Sequence, residues 1–221
     1  MIPKIIHQIW IGPDKKPDIW INTWKNDYLQ QNPDYQYMFW GEEEIDNFPL
    51  KNKHIYNQSR FYNEKSDIAR YEILKHYGGI FIDADSLWIN KPNNSLDKIL
   101  DQSTSAFSAY EPMNKTIIAN GVIGFEKDHI ILNNMIDFIH NNYFHLKSKH
   151  NRDRDVWRVT GTEVFTNIVN QFKLYTTILP SYYFFPESFH QNNLHLDINT
   201  FPTKYPKSIM FQYGYTTNNL S

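Results

Sequence analysis

The stretch from Asn63 to Ser86, "NEKSDIARYEILKHYGGIFIDADS", places the strongest constraint on the fold of this chain. Apolar residues recur at helical spacing up to Tyr77, and Gly78 and Gly79 then supply a stop signal. The following "IFID" is a short apolar run typical of a buried strand. The sequence therefore predicts a helix over 63–77 that turns directly into a buried strand.

Similar alternation continues along the first half of the chain. Strands are predicted over 4–10 ("KIIHQIW") and 35–40 ("YQYMFW"), with a helix between them whose buried face carries Trp20, Trp24 and Tyr28. Further helices are predicted in "GEEEIDNF", "SLDKIL", "HIILNNMIDFIHNNYF" and "GTEVFTNIVNQF", and extended segments in "SAFSAYE", "TIIANGVIGFE", "YTTILPSYYFFP" and "SIMFQYGY". This order favours an α/β layered sheet with mixed pairing in its second half, formed by one domain over 1–221.

Composition excludes several classes of function. The formal charge of −2 gives no overall electrostatic reason to bind nucleic acid, and the absence of cysteine excludes disulfides and thiolate chemistry. No stretch has the roughly 20 apolar residues of a membrane span, and the first residues lack a signal-peptide pattern. We therefore expect a soluble, cytoplasmic protein of a microbe or virus.

Asp83 and Asp85 end the "IFID" segment with only Ala84 between them. On an extended backbone both carboxylates project to the same side, which is unfavourable unless a cation or proton lies between them. Oxygen ligands suit Mg²⁺ or Mn²⁺, which commonly share their remaining positions with substrate phosphates. The alternative is that both aspartates merely end a strand in a solvated turn.

The helix before this strand carries a second polar group. Asp67, Arg70 and Tyr71 share one helical face, and the helix start would lie near the strand end that carries the two aspartates. An exposed ion pair would be a sufficient explanation for Asp67 and Arg70. If the helix instead packs antiparallel on the strand, both side chains face the same pocket as Asp83 and Asp85.

Four segments together resemble glycosyltransferase family 32, the sugar-binding transferases with a DXD motif. They are "IPKIIHQIWIG", "NPDYQYMFW", "KSDIARYEILKHYGGIFIDADS" and "NGVIGFEKDH", in the order of that family. The chain is also similar, more distantly, to the catalytic domain of the large glucosylating toxins. The resemblance implies a GT-A type α/β fold, with a Rossmann-like mixed central sheet flanked by helices. It also implies a nucleotide-sugar donor, a Mn²⁺ or Mg²⁺ ion, and transfer with retention at the anomeric carbon.

By this resemblance Asp85 ligates the metal directly, and Asp83 contacts ribose, donor sugar or the metal through water. Asp67 and Arg70 match the family residues that hold the donor sugar and help to neutralise the diphosphate. A UDP-sugar is favoured over a GDP-sugar, because Trp10 matches the aromatic residue that stacks on the base in the toxins. The acceptor is expected to be a glycan or protein hydroxyl.

Five further positions are implied to bind the donor. Ile9 and Trp10 end the first strand, and Asn120 matches a polar position near the sugar. Gly161 and Thr162 belong to "TGTEVF" (160–165), which stands where the family often has T-G-P. Asn120 and Gly121 would equally suit a turn. Glu111 and Glu163 are candidates for a carboxylate beneath the sugar ring, whereas His7, inside the first strand, is interpreted as a core histidine.

Two features of the sequence depart from the family pattern. Many relatives have tyrosine where this chain has Phe81, so a hydroxyl contact made there is absent. The C-terminal His and Ser-Trp motif is also missing, which leaves the last metal or phosphate ligand open among the polar and aromatic residues of the tail, Gln212, Tyr213, Tyr215 and Thr216. We expect the segment beyond Phe211 to fold over the donor.

Two other functions fit parts of the sequence. "IFIDADSLW" is similar to the start of a haloacid-dehalogenase-type phosphatase, although that motif stands far from the N-terminus and no later acidic pair is present. A noncatalytic carbohydrate-binding protein would also suit the 16% of aromatic residues and the missing C-terminal motif.

Overall fold

The computed structural model describes residues 1–188, 190 and 192–215. Within these residues, six strands form a mixed sheet. Its strands, in chain order, are β1 (Ile5–Ile9), β2 (Gln36–Trp40), β3 (Gly79–Ile82), β5 (Ala106–Ala109), β6 (Val122–Phe125) and β7 (Thr177–Leu179). A two-stranded sheet pairs β4 (Ser86–Trp88) with β8 (Met210–Gln212).

Helices cover both faces of the larger sheet. They are α1 (Asp18–Asn22), α2 (Leu29–Gln31), α3 (Glu42–Asn47), α4 (Lys53–Gln58), α5 (Tyr62–Tyr77), α6 (Asp97–Leu100), α7 (Ile130–Lys149), α8 (Thr162–Gln171) and α9 (Phe201–Lys204). A π-helical segment, Thr23–Tyr28, joins α1 to α2, and the predicted face of Trp20, Trp24 and Tyr28 is buried. None of the helices in the described ranges has the length and apolarity that crossing a bilayer requires.

Strand direction decides which loops meet. The sheet order is β2-β1-β3-β6-β5-β7, with β1 parallel to β2 and β3, and β6 antiparallel to both β3 and β5. The carboxyl ends of β1, β3 and β5 therefore lie at one edge of the sheet, together with the start of β6. Ligands of α/β sheets bind at such an edge, where strand direction and order change.

Alternating side chains of the six-stranded sheet face two hydrophobic cores, and a third lies around the β4 and β8 sheet. Phe81 and Ile123 face the first core with residues of α5, α7 and α8, whereas Ile80 and Val122 face the second core. The second core also holds Trp24 of the π-helical segment. Helical layers on both faces explain why the strands of this sheet are apolar on both sides.

The junction between α5 and β3 depends on its two glycines. Gly78 has φ 66° and Gly79 has φ 100°, a region that residues with a Cβ rarely adopt. A Cβ on Gly79 would also lie 2.6 Å from the carbonyl oxygen of Ile5. This junction lets α5 end and the chain turn directly back into β3, as the sequence predicted.

The structure corrects the prediction that Asp83 and Asp85 lie on extended backbone. Both belong to a turn between β3 and β4, which the Ser86 amide closes by donating to the carbonyl of Asp83 at 3.1 Å. Strand β4 was not predicted from the sequence, because its partner, β8, is more than a hundred residues away along the chain. The turn nevertheless delivers both carboxylates to one pocket.

The predicted extended segment "YTTILPSYYFFP" is only partly correct. Strand β7 ends at Leu179, and a 3-10 helix, Ser181–Tyr183, follows Pro180. Proline has no amide hydrogen to continue a sheet ladder, which accounts for the end of the strand there.

His7 is a fully buried core histidine, as predicted. Its Nε2 lies 2.9 Å from the carbonyl oxygen of Gly78, and its Nδ1 accepts the indole N–H of Trp40 at 3.2 Å. These partners require the neutral tautomer with hydrogen on Nε2, because a proton on Nδ1 would face another donor. Burial lowers the pKa of His7 to about 4.

We therefore expect His7 to make the free energy of unfolding depend on pH. Its folded pKa lies below the unfolded value near 6.5, so its contribution is complete above about pH 6.5 and declines as pH falls towards 4. Urea titrations at pH 7.5 and 4.5, for wild type and His7→Met, measure the effect. Wild type should lose about 2.5 kcal/mol more between the two pH values, and equal losses would contradict the assignment.

Candidate active site

Asp83 and Asp85 converge on one pocket with Arg70. Arg70 Nη1 lies 3.3 Å from Asp83 Oδ1, and the Asp83 side chain is 28% exposed. Asp85 is more enclosed, at 9% exposure. Asp83 is thus the carboxylate that a ligand can reach most easily.

Arg70 occupies the centre of the site. Its guanidinium stacks 4.3 Å from the ring centre of Phe81, donates to the carbonyl of Asn120 at 2.8 Å, and lies 3.4 Å from Asp67 Oδ1. The side chains of Arg70 and Asp67 are only 7% and 8% exposed. As predicted, Arg70 lies beside Asp83 and brings Asp67 into the same cluster, and an exposed helical ion pair is excluded.

Asp67 organises the residues around Arg70. One oxygen accepts from Asn120 Nδ2 at 2.8 Å and the other from Thr160 Oγ1 at 2.9 Å. The hydroxyl of Tyr71 accepts from the same Asn120 nitrogen at 2.9 Å and donates to the carbonyl of Thr160 at 3.1 Å. Asp67 therefore joins α5 to two loops at the sheet edge.

The C-terminal tail reaches the carboxylates through Gln212. Its Nε2 donates to Asp85 Oδ1 at 2.7 Å and approaches Asp83 Oδ2 at 3.3 Å, while Ser86 Oγ donates to its Oε1 at 2.5 Å. The Tyr215 amide donates to Asp85 Oδ2 at 2.6 Å. Of the predicted tail candidates, Gln212 contacts both aspartates, and Thr216 lies outside the described residues.

An aromatic group lies beside Asp85. The half-exposed Trp10 ring is 5.8 Å from that of Tyr215, and Trp20 stacks on Tyr213 at 4.5 Å. Trp10 Nε1 donates to the carbonyl of Asp14 at 3.1 Å, which fixes the indole orientation. The Ile9 side chain packs in the first core, so a contact of Ile9 with the donor would have to come from its backbone.

The glycines of the site allow close approach of the backbone. A Cβ on Gly161 would lie 3.3 Å from Asp67 Oδ2, and one on Gly121 would lie 2.3 Å from Asp83 Oδ2. Thr162, the first residue of α8, is half-buried, and it is Thr160 rather than Thr162 that contacts Asp67. Sequence reasoning missed Thr160 and Gly121, although both adjoin positions that the resemblance had singled out.

Two buried carboxyl groups, Asp67 and Asp85, and the partly exposed Asp83 surround the Arg70 guanidinium. Burial raises the pKa of Asp67 to about 6, with Arg70 opposing the shift. Burial, together with the charge of Asp83, raises the pKa of Asp85 to about 7, and burial also raises the pKa of Asp83. The pocket is thus short of positive charge at neutral pH, which is a condition that a bound cation would relieve.

The donor set fits a hard divalent cation. Asp83 and Asp85 supply carboxylate oxygens, and the Gln212 amide, turned over, would supply a carbonyl oxygen between them. Within the described ranges, no three His, Cys, Asp or Glu side chains form a metal-binding group. A cation here would therefore depend on water or substrate phosphate for its other ligands, which is the usual coordination of Mg²⁺.

Glu163, one of the two candidates for a carboxylate beneath the sugar, is turned towards another partner. Its Oε2 lies 3.7 Å from Arg158 Nε, and its side chain is 42% exposed. This exposed pair is weak and leaves Glu163 accessible at the start of α8.

Several known proteins are similar to this chain. A family model described as the glycosyltransferase sugar-binding region containing the DXD motif matches residues 17–106. An uncharacterized glycosyltransferase of Acanthamoeba polyphaga mimivirus is 32% identical over 179 residues, covering 78% of this chain and 66% of that protein. Inositol phosphoceramide mannosyltransferase 1 of Schizosaccharomyces pombe is 34% identical over 119 residues, covering 51% of this chain and 35% of that protein.

The fold has solved counterparts as well. The PaToxG glycosyltransferase superposes with a TM-score of 0.53 at 21% identity, covering 77% of this chain and 70% of that chain. At this identity the likeness concerns the fold, and it confirms the expected GT-A type architecture.

Proposed function

Since the chain belongs to the glycosyltransferase family with a DXD-containing sugar-binding region, we propose that it transfers a hexose from a nucleotide-diphosphate donor to a hydroxyl group. Mn²⁺ or Mg²⁺ is the proposed cofactor, and retention at the anomeric carbon is the proposed outcome. The observation that carries this proposal is the convergence of Asp83, Asp85 and Arg70 at the edge of the sheet.

Different residues of the site hold different parts of the donor. Asp83 and Asp85 bind the metal, which when bound stabilises negative charge on the leaving diphosphate as a Lewis acid. Arg70 adds a fixed positive charge beside the same phosphates, and its contacts with Asp67 and Asn120 hold it in place before the donor arrives. Gln212 completes the metal site from the tail.

The aromatic residues provide the base-binding side of the site. The half-exposed Trp10 ring offers a flat face close to Tyr215, whose amide binds Asp85. A nucleotide stacked on Trp10 would thus extend its diphosphate towards the two aspartates. The tail from Gln212 to Tyr215 then covers the donor and excludes water from it.

The relatives indicate which donor sugars to test first. The fission yeast relative is named a mannosyltransferase, which makes mannose the first sugar to test. The resemblance of Trp10 to the base-stacking residue of the toxins favours uridine, so GDP-mannose and UDP-hexoses are the two arms of the test. The chain spans only about a third of the named fungal relative, so the acceptor of that protein is not carried over. A glycan or protein hydroxyl is the proposed acceptor.

The phosphatase and the noncatalytic carbohydrate-binding protein are the two alternatives to this function. The family match and the GT-A fold decide against a haloacid-dehalogenase-type phosphatase. A noncatalytic carbohydrate-binding protein differs from a transferase in needing neither metal nor nucleotide, and ligand binding separates the two.

We expect nucleotide sugars to stabilise the protein only when metal is present. Thermal unfolding is measured with Mn²⁺ or with chelator, in GDP-mannose, UDP-glucose, UDP-galactose or free mannose, and nucleoside diphosphate release is followed in parallel. A donor at 100 times its Kd should add about 2.7 kcal/mol, and slow donor hydrolysis should accompany it.

Three results would count against the proposal. They are stabilisation by a nucleotide sugar in the presence of chelator, stabilisation by free mannose alone, and donor binding that persists in Asp85→Ala. The second result would favour the carbohydrate-binding alternative.

A further inference from the structure

Glu111 leaves the sheet at the same edge as Asp83. Its amide donates to the carbonyl of Ile117 at 2.9 Å, which extends the ladder of β5 beyond the bridge between Tyr110 and Ile118. Strands β3 and β5 are both antiparallel to β6 and therefore run in the same direction. The residues that follow them, Asp83 and Glu111, accordingly emerge on one side of the sheet.

Side-chain alternation places Glu111 on a particular face. Ala109, two residues earlier, belongs to the second core, which also contains Trp88 of β4 and Met210 of β8. Since the ladder continues through Glu111, its side chain lies on that same face. This is the face on which the β4 and β8 sheet brings Gln212 to the aspartates.

The Glu111 carboxylate lacks the partners that other enclosed carboxylates of this protein have. Glu72 accepts the Asn52 amide at 2.9 Å, and Glu64 accepts the Tyr143 hydroxyl at 3.0 Å. By contrast, within residues 1–188, 190 and 192–215 no hydrogen bond or ion pair of the Glu111 carboxylate is found, although burial raises its pKa. Neither Glu111 oxygen is among the enclosed, unpaired polar atoms of the described residues, so the carboxylate is open to an incoming ligand and free to accept a proton from it.

We propose that Glu111 binds the attacking oxygen and accepts its proton, a role that rests on the proposed function. The acceptor oxygen bonds to the anomeric carbon on the face that the diphosphate leaves, which retains the configuration, as its proton passes to the carboxylate. The bond from that carbon to the diphosphate breaks, and its electron pair leaves on the phosphate oxygen. In donor hydrolysis water takes the place of the acceptor, so Glu111 serves both reactions.

Donor hydrolysis by Glu111→Gln in the full chain tests this role without a known acceptor. With Mn²⁺ and a donor that wild type hydrolyses, we expect kcat to fall about a hundredfold while the donor KM stays unchanged. The unfolding temperature should be unchanged or higher, because no native partner is lost. Formate should restore part of the rate in Glu111→Ala by replacing the carboxylate.

A matched control is Glu43→Gln, an exposed position in α3, which should hydrolyse the donor like wild type. Wild-type kcat in Glu111→Gln would overturn the assignment, as would a fall of several degrees in its unfolding temperature, which indicates a structural role. If wild type hydrolyses none of the donors, the proposed function itself fails, and that result is distinct from a Glu111 variant that behaves like an active wild type.

Discussion

Replacing Asp85 with asparagine should abolish metal-dependent turnover while making the unliganded protein more stable. Asparagine keeps an oxygen for the Tyr215 amide but removes the negative charge that the metal needs. The loss of one such electrostatic group should reduce donor turnover at least about a hundredfold. Metal and donor together should then no longer raise the unfolding temperature.

The gain in stability follows from the raised pKa of Asp85. Its folded pKa of about 7 exceeds the unfolded value of 3.8, so the ionised group increasingly destabilises the fold as pH rises from about 4 to 7. In chelator at pH 8, Asp85→Asn should therefore unfold at a higher temperature than wild type, and the difference should shrink at pH 5.

The exposed Asp101→Asn serves as the control, with no expected change in either measurement. A variant of Asp85 that retains turnover would remove this residue from the proposed metal site. A lower unfolding temperature at pH 8 would show instead that its hydrogen bonds outweigh the repulsion.

Arg70→Met should produce the largest loss of stability. The guanidinium lies within 3.4 Å of the buried Asp67 and the partly exposed Asp83, and its removal leaves their charges without compensation. Breaking a buried ion pair in this way costs about 3–5 kcal/mol, measured as the free energy of unfolding in urea at pH 7.5. Donor turnover should be lost as well, because the fixed charge beside the leaving phosphates is gone.

Two measurements keep this prediction falsifiable if Arg70→Met fails to fold. Arg70→Lys keeps the charge but cannot reach Asp67, Asp83 and the carbonyl of Asn120 together, so its stability should lie between wild type and Arg70→Met. The loss in Arg70→Met should also diminish at pH 5, where the raised pKa of Asp67 lets that group take up protons. A loss independent of pH would indicate that packing on Phe81 dominates instead.

Much of the site could be predicted because it is local in sequence. Asp67 and Arg70 share a helical face, and the two glycines send that helix straight into the strand before Asp83, so a short segment brings the charges together. The spacing of apolar residues also predicted whether most segments form a helix or a strand. Alternation along a buried strand points the Ile9 side chain into the core, which leaves only its backbone for the predicted donor contact.

Residues that come from distant segments could not be placed from the sequence. Thr160 contacts Asp67 from 93 positions away, and Gln212 contacts Asp85 from 127 positions away. Neither residue type stands out, since threonine and glutamine are common at surfaces. Their roles exist only because α8 packs beside α5 and β8 pairs with β4.

Asp83 and Asp85 show what the sequence and the tertiary structure each contribute to the site. From the sequence alone came the two carboxylates, their basic partner on the preceding helix and the glycine break between them, because local geometry fixes neighbours along the chain. The tertiary structure alone decided that the aspartates lie on a turn, that Gln212 stands between them and that Asp85 is buried enough to reach a pKa of about 7. Burial and cross-strand contact depend on segments that meet only when the sheets assemble, and no local pattern encodes them.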